Sequence, residues 1–205
     1  MAKLYFRYGA MNSGKTTGLL QTAYNYEERE QRVLLIKAVL DTKGDNKVVS
    51  RLGVEREVDL LVDADDDVRA LVHKQCKATQ DAPVRDSVDC ILVDEAQFLT
   101  PLQVDQLMEL VLVDDVPVLA YGIRTDFRTV SFPGSRRLLE IAHSLEELKT
   151  ICRCGRKAVF NARKTVGENS HFIFEGGQVA IDGTEVTYES LCGKCYLEAG
   201  GVLPG

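Results

Sequence analysis

Short apolar runs alternate along the first two thirds of the chain with stretches that repeat apolar residues at helical spacing. Residues 4–6, 33–36, 88–93 and 116–121 have the length and composition of buried strands. Helical stripes follow the first and third runs, and they consist of Leu19, Leu20, Ala23 and Tyr24 and of Val104, Leu107, Met108, Val111 and Leu112. Buried strands that alternate with amphipathic helices are typical of a parallel sheet covered on both faces. The pattern therefore predicts an α/β fold.

The region between residues 41 and 78 has a weaker pattern. Residues 41–53 lose the apolar spacing and contain turn-forming residues, which predicts a loop that is either functional or simply solvated. Alternation over residues 58–62 predicts a short strand, and a stripe within residues 63–78 predicts a helix. Aspartates at positions 63, 65, 66 and 67 would crowd the first turn of that helix. Negative charge is favourable there, so capping explains them better than a metal site does.

The second half of the chain gives one clear helix start and then loses its regular pattern. Thr100, Pro101 and Gln103 predict a capped helix with proline in its first turn. Residues 138–142 predict a further short helix. From residue 153 onward the segments are short and interrupted by glycine, so this part can build little core alone. We therefore predict an α/β domain over residues 1–148 and a small domain over residues 149–205.

Composition narrows the class of protein. The 205 residues fit one main domain with an appendage, and 45% hydrophobic residues suffice for a sizeable core. The net charge of −6 disfavours a nucleic-acid interface, which usually needs a basic face. There is no apolar run of membrane-spanning length, and the first residues do not have the pattern of a signal peptide. We expect a cytoplasmic protein that binds neither nucleic acid nor membrane.

Residues 9–16 read Gly-Ala-Met-Asn-Ser-Gly-Lys-Thr and lie between the first predicted strand and the first helical stripe. This is the pattern of a phosphate-binding loop, or P-loop. Gly9 and Gly14 permit backbone angles that let the loop curl and aim its N–H groups at an anion. Lys15 adds a charge for the β and γ phosphates, and the Thr16 hydroxyl can bind Mg²⁺. The alternative is a glycine-rich turn, which the flanking strand and helix disfavour.

An acidic pair, Asp94 and Glu95, follows the third apolar run. In α/β sheets, ligands bind at the carboxyl ends of the strands, which is where this pair lies. We assign Asp94 to Mg²⁺, and Glu95 to the role of general base that takes a proton from an acceptor hydroxyl. The alternative is a solvated pair of acids at the end of a strand.

Four of the six cysteines form two close pairs, Cys152 with Cys154 and Cys192 with Cys195. Four thiolates suffice for a closed tetrahedral zinc site, which would be structural because no position stays open. Free thiols or a redox pair are the alternatives. Because this region has little core, a metal would hold it together, and its removal is expected to weaken the C-terminal domain more than the sheet.

Together these motifs resemble the thymidine kinase family of the bacterial and human cytosolic type. The resemblance rests on the P-loop, on Asp-Glu-Ala-Gln-Phe at residues 94–98, on Tyr-Gly-Ile-Arg-Thr-Asp-Phe-Arg at residues 121–128, and on the two cysteine pairs with Tyr188. It covers nearly the whole chain and is similar to Gram-negative bacterial members, which share the tight Cys-x-Cys pair. It implies a P-loop NTPase-type parallel sheet flanked by helices, with a small C-terminal zinc-containing lasso domain.

The resemblance also implies an activity and a set of site residues. The family transfers the γ-phosphoryl of ATP, with Mg²⁺, to the 5′-hydroxyl of thymidine in nucleotide salvage. ATP-binding positions are then Gly9, Ala10, Met11, Asn12, Ser13, Gly14, Lys15, Thr16, Asp94, Glu95, Ala96 and Gln97. Nucleoside-binding positions are Met11, Phe98, Ile123, Phe127, Phe132, Arg163, Val179, Ile181, Gly183, Thr184 and Tyr188, the last five in or near a lasso that covers thymine. Feedback inhibition by dTTP and a homotetramer are implied as well.

Two segments depart from the family pattern. Residues 41–43 read Asp-Thr-Lys where the family has Asp-x-Arg, and a lysine cannot make the same bidentate contact. Residues 181–188 are one residue longer than the corresponding family segment. Two other classes of function stay open from the residues alone, namely a P-loop ATPase motor and a zinc-ribbon binding module with a vestigial nucleotide site.

Overall fold

The structure, a computed structural model, describes residues 1–39, 46–50, 53–167, 169–178 and 185–203. Within these ranges the strands are β1 Leu4–Gly9, β2 Val33–Ala38, β3 Lys47–Val49, β4 Glu55–Glu57, β5 Leu60–Val62, β6 Cys90–Asp94, β7 Val118–Ile123, β8 Ser144–Glu147, β9 Thr150–Ile151, β10 Lys157–Ala158, β11 Phe160–Thr165, β12 Phe172–Ile173 and β13 Val186–Leu191. The α-helices are α1 Lys15–Glu27, α2 Val68–Gln75, α3 Pro101–Leu112, α4 Pro133–Ile141 and α5 Gly193–Glu198, with 3₁₀ turns at Val84–Asp86 and Ala96–Phe98.

A parallel sheet forms the centre of the first part of the chain, with strand order β5-β2-β6-β7-β1-β8. Successive strand residues point to opposite faces, so each buried strand supplies two cores. On β6, Ile91 and Val93 join the core beneath α2, α3 and α4, whereas Cys90 and Leu92 join the core beneath α1. This confirms the predicted α/β sheet covered on both faces, and it explains why these strands contain continuous apolar runs.

The helix α3 begins as its sequence predicts. The Thr100 hydroxyl accepts a hydrogen bond from the Gln103 backbone N–H at 3.2 Å, and the Gln103 side chain accepts one from the Thr100 N–H at 2.9 Å. Both N–H groups would otherwise lack partners at the helix end. The buried face of α3 differs from the predicted apolar stripe at its C-terminal end, where Leu110 is buried and Leu112 is 58% exposed. Tyr24 on α1 is likewise 58% exposed, so it is not a core residue.

The weakly patterned region differs from its prediction in two places. The segment expected to be a loop contains β3, which pairs antiparallel with β4 and buries Val48 against the α1 core. The helix α2 begins only at Val68, with Asp67 as its N-cap, rather than at Asp63. The Asp63 N–H bonds the Asp66 carboxylate at 2.8 Å, a local side-chain contact that competes with helical bonding.

The last quarter of the chain forms a second, smaller unit. Its sheet has the antiparallel order β12-β11-β13, and β9 pairs with β10. Its small core gathers Ala162, Leu191 and Tyr196 with three of the paired cysteines, and Phe160 stacks on Tyr196 at 5.0 Å between ring centroids. The sequence boundary at residue 148 stays a prediction. In the part of the chain that the structure describes, no helix is both long and apolar enough to cross a membrane.

Candidate active site

The P-loop connects the end of β1 to the start of α1. A Cβ on Gly9 would lie 2.4 Å from the Ser13 hydroxyl oxygen and 2.7 Å from the Leu148 carbonyl oxygen, so no side chain fits there. Asn12 and Gly14 have positive φ angles of 63° and 76°. Left-handed residues within a turn aim their N–H groups into one concavity, which is the geometry that binds phosphate. Lys15 folds back along the loop, where its ammonium donates to the Ala10 carbonyl at 2.9 Å.

The acidic pair lies at the carboxyl end of β6, as predicted. Asp94 is the last strand residue and is buried, and burial, together with the negative charge of Glu95, raises its pKa to about 7. The ammonium groups of Lys37 and Lys15 act in the opposite direction. A cation bound beside Asp94 would likewise favour its ionised form. The half-buried Glu95 turns the chain with φ 52° and ψ 36°, a left-handed conformation that is uncommon for residues other than glycine.

Gln97 connects Glu95 to the end of the neighbouring strand. Its side-chain amide donates to the Glu95 carboxylate and accepts from the Ile123 backbone N–H at 3.2 Å. Gln97 is only 1% exposed, and a Cβ on Gly122 would lie 2.8 Å from its Oε1. Because both ends of the amide are bonded and the space is closed by backbone, the orientation of the Glu95 carboxylate is fixed from one side.

Aromatic residues stand beside the acidic pair. Phe98 and Phe132 pack edge to face with ring centroids 5.7 Å apart, and the side chain of Ile123 lies close by at the end of β7. An edge-to-face pair with an aliphatic neighbour forms an apolar wall, which suits the face of a planar base.

Arg163 on β11 connects the aromatic region to the second unit. Its guanidinium lies 3.8 Å from the centroid of the buried Phe127 ring, and its Nε donates to the Tyr188 hydroxyl at 3.1 Å. The same side chain donates to the carbonyls of Gly177 and Gln178 at 2.9 and 3.1 Å. Arg163 is 5% exposed, so in this structure it holds the segments that flank residues 179–184.

One cavity of about 710 Å³ unites most of the expected site. Its lining includes Met11, Asn12, Ser13, Gly14, Lys15, Thr16, Glu95, Gln97, Phe98, Ile123, Phe132 and Tyr188, all expected from the sequence. The other described positions expected at the site do not belong to this lining; they are Gly9, Ala10, Asp94, Ala96, Phe127 and Arg163. Val179, Ile181, Gly183 and Thr184, together with residues 41–43, lie outside the residues that the structure describes.

Comparison with known proteins decides the family. The family model for thymidine kinase matches residues 2–196. The chain belongs to the thymidine kinase family. The thymidine kinases of Idiomarina loihiensis and Ruegeria pomeroyi are each 46% identical to it over 98% of this chain, covering 100% and 96% of their own lengths. That of Legionella pneumophila strain Lens is 46% identical over 100% of this chain and 95% of its own. A solved DNA replication initiation factor aligns with a TM-score of 0.36 and 22% identity over 72% of this chain and 40% of its own, which is too low to indicate a shared fold.

Membership of the thymidine kinase family favours the kinase over the motor ATPase and the zinc-ribbon module. The family resemblance also anticipates most of the cavity, but it misses some of the residues that complete it. Thr17, Val49, Gln178, Val186 and Thr187 line the cavity as well. Val186 and Thr187 precede Tyr188 on a strand, which the β13 pattern indicates only weakly. Val49 belongs to the hairpin that was expected to be a loop, so its sequence carried no signal.

The paired cysteines of this family member meet in the second unit. The sulfurs of Cys152, Cys154, Cys192 and Cys195 all lie within 4.8 Å of one another. Four thiolates at about 2.3 Å from a tetrahedral zinc stand about 3.8 Å apart, so the cluster fits that metal. The backbone N–H of Cys195 lowers the pKa of Cys192 to about 7, which favours a thiolate ligand. Hydrogen bonds that the Cys195 thiol donates to its neighbours, above all to Cys154, raise the pKa of Cys195 to about 12, because four adjacent sulfurs cannot all ionise without a cation.

Proposed function

We propose that this chain transfers the γ-phosphoryl of ATP to the 5′-hydroxyl of thymidine, and also of deoxyuridine. One observation supports this most strongly. A single cavity brings the P-loop, the Glu95 carboxylate and the Phe98–Phe132 pair together. Phosphoryl transfer requires a phosphate site, a base and an acceptor held in line, and this cavity offers residues for each part.

Each residue then has a separate task. The curled P-loop and the ammonium of Lys15 hold the phosphates, and Thr16 with Asp94 would hold Mg²⁺. Bound Mg²⁺ would neutralise charge on the phosphates. Glu95 takes the proton of the 5′-hydroxyl as the acceptor oxygen attacks phosphorus. Gln97 keeps the Glu95 carboxylate turned toward the acceptor, because the amide is itself held by the Ile123 N–H.

The nucleoside base is proposed to lie against Phe98 and Phe132, with Met11 and Tyr188 beside it. Both of these residues line the cavity from other segments. Ile123 completes the apolar wall, Phe127 and Arg163 are proposed to support it, and residues 179–184 would cover it as the lasso. Arg163 bonds Gln178 and Tyr188, one on either side of residues 179–184, and this supports a role for residues 179–184 in covering the base.

We further propose that the four cysteines hold a structural zinc ion. The mutual sulfur distances and the lowered pKa of Cys192 support it. Feedback inhibition by dTTP, a homotetramer and a cytoplasmic location are carried over from the family resemblance. None of the six cysteines forms a disulfide in this structure, which suits a reducing compartment.

The decisive experiment follows ATP-dependent phosphorylation of thymidine, deoxyuridine, uridine and deoxycytidine side by side. We expect transfer to the first two. In Glu95→Gln, kcat should fall by about 10²–10⁴ while nucleotide affinity is largely kept, because the amide cannot accept the proton. Lys15→Ala should abolish transfer. Glu28→Gln and Lys3→Ala, which change exposed residues outside the cavity, serve as matched controls.

Two results would contradict the proposal. ATP hydrolysis that proceeds without any nucleoside would indicate a different P-loop enzyme. Simultaneous loss of ATP binding and turnover in Glu95→Gln would make that residue structural and leave the base unassigned.

A further inference from the structure

Met11, in the middle of the P-loop, is held by the second unit of the protein. Its backbone N–H donates to the Asn161 side-chain oxygen at 2.7 Å. Its carbonyl accepts a hydrogen bond from the Ser190 hydroxyl. Both polar groups of one P-loop residue therefore have partners that lie about 150 and 180 residues further along the chain.

The two partners form one cross-strand pair. Asn161 on β11 and Ser190 on β13 stand directly opposite each other in the antiparallel register. They are 2% and 8% exposed, so their bonds to the half-buried Met11 are partly shielded from water. The Asn161 amide also donates to the Thr125 carbonyl at 2.9 Å. A buried side chain bonded at both ends has one orientation, so this pair is a rigid holder rather than a passing contact.

Met11 directly precedes the part of the P-loop that is expected to face phosphate. Asn12 follows Met11 directly and has a positive φ of 63°, a conformation that surrounding structure must maintain. The next residues supply the N–H groups expected to face phosphate. If the half-buried Met11 lost these partners, its N–H and carbonyl would lose their hydrogen bonds within the protein, and the loop would relax to satisfy them elsewhere.

We propose that Asn161 and Ser190 are positioning residues for the nucleotide site, so that the second unit forms part of the ATP site as well as the nucleoside site. This rests on the proposed function in one respect, that the P-loop binds ATP. Neither residue touches the phosphates. They act by fixing the backbone at Met11, from which the left-handed turn at Asn12 begins.

The test measures binding of ADP with Mg²⁺ by calorimetry and, in parallel, KM for ATP and for thymidine. In Ser190→Ala and in Asn161→Leu, affinity for ADP should fall by about tenfold or more, because a backbone group of the P-loop loses its partner. Ser190→Thr keeps the hydroxyl and should keep affinity within about threefold. The double variant should lose less than the product of the single losses, since both act on one residue.

Controls separate positioning from general destabilisation. Thr165→Val removes a hydroxyl from β11 that, among the residues the structure describes, bonds only to His171, and it should leave ADP affinity unchanged. The thermal midpoint and the KM for thymidine of each variant are measured as well. Unchanged ADP affinity in both single variants, or an equal loss of thymidine and ADP affinity, would overturn the proposal. ADP binding needs no transfer, so this test stays informative even if thymidine is not the acceptor.

Discussion

At the scale of single residues, the feature that the sequence does not predict is that both ends of the Gln97 side-chain amide are hydrogen-bonded. The sequence places it in a motif, and the family resemblance assigns it to nucleotide binding. The structure shows it bonded to Glu95 on one side and to Ile123 on the other. Such a contact is set by the meeting of two strand ends, β6 and β7, which a linear pattern cannot reveal.

The substitution Gln97→Met tests whether these two hydrogen bonds position the Glu95 carboxylate. Methionine has similar length but neither donates to Glu95 nor accepts from Ile123, so the carboxylate is free to turn away. We expect kcat to fall about tenfold or more, from loss of a positioned base, with ADP affinity unchanged. Gln21→Met, on the exposed face of α1, is the control. A fall in ADP affinity without a change in kcat would assign Gln97 to nucleotide binding instead.

A second residue-scale prediction concerns pH and the buried Cys90 on β6. Burial raises the pKa of its thiol from 9.0 to about 12, and burial also raises that of the neighbouring Tyr26 to about 12. Between about pH 9 and 12 the unfolded chain loses these protons while the folded protein keeps them. The free energy of unfolding is therefore full below pH 9 and declines as pH rises through this window.

Urea titrations at several values between about pH 8 and 11 measure this slope. In Cys90→Ala the decline should be shallower by about 1 kcal/mol per pH unit, because one proton is no longer linked to unfolding. Leu92→Val, on the same face of β6, removes packing but no ionisable group. It should lower stability equally at every pH. An unaltered slope in Cys90→Ala would mean that this thiol ionises in the folded state.

At the scale of elements, strongly periodic segments were predictable and weakly periodic ones were not. The strands β1, β2, β6 and β7 are buried on both faces, so they read as continuous apolar runs. The helix α3 carries its own start signal. The strand β3 has three residues and only Val48 buried, which leaves too little alternation to detect. The start of α2 was misplaced because aspartates suit both a helix end and the turn before it.

An element-scale prediction follows from the approach of α4 to the turn that carries Glu95. A Cβ on Gly134 would lie 2.5 Å from the Ala96 carbonyl oxygen and 2.6 Å from that of Leu99. Gly134→Ala should therefore push α4 away from the 3₁₀ turn. We expect a loss of about 1–3 kcal/mol in stability from overpacking and a fall in kcat, since Phe132 at the start of α4 moves as well.

Gly18→Ala on α1 is the matched control for Gly134→Ala. The nearest atom to its added Cβ is a Tyr121 ring carbon at 3.8 Å, an ordinary contact. Alanine is the better helix former, so stability should rise by up to about 1 kcal/mol with kcat unchanged. If Gly134→Ala were as stable and active as the parent, the packing of α4 on the turn would not determine the position of Glu95.

At the scale of the whole molecule, the site lies between two units that sequence analysis treated separately. Four of the hydrogen bonds that cross between them run from Asn161 to Met11 and to Thr125, from Ser190 to Met11, and from the Tyr196 hydroxyl to the Phe127 carbonyl at 2.7 Å. All involve polar groups far apart in sequence. The motifs predicted which residues belong to the site, but pairings of this range leave no local pattern.

These contacts change what metal removal should do. From the sequence, the P-loop belongs to the sheet, so loss of zinc should weaken nucleoside binding far more than ATP binding. In the structure, Ser190 lies on β13, two residues before Cys192, which is the N-cap of α5. The Ser190 hydroxyl donates a hydrogen bond to the Met11 carbonyl. Metal-binding free energy in a small module is largely folding free energy. Without the metal, β13 and its partner β11 should loosen, and the holder of the P-loop with them.

We therefore expect Cys192→Ser, or chelation, to weaken both thymidine and ADP binding. Calorimetry with each ligand on metal-replete and metal-depleted protein measures this, with zinc content determined on the same samples. Cys76→Ser changes a thiol at the C-cap of α2, outside the four-cysteine cluster, and should leave both affinities and the zinc content intact. Loss of thymidine affinity alone would show that the P-loop keeps its shape without the second unit, and would also count against Asn161 and Ser190 as its positioning residues. If neither affinity changed, the four cysteines would not be a structural metal site. Joint loss, together with a selective loss of ADP affinity in Asn161→Leu, would instead connect the metal to the nucleotide through one strand pair.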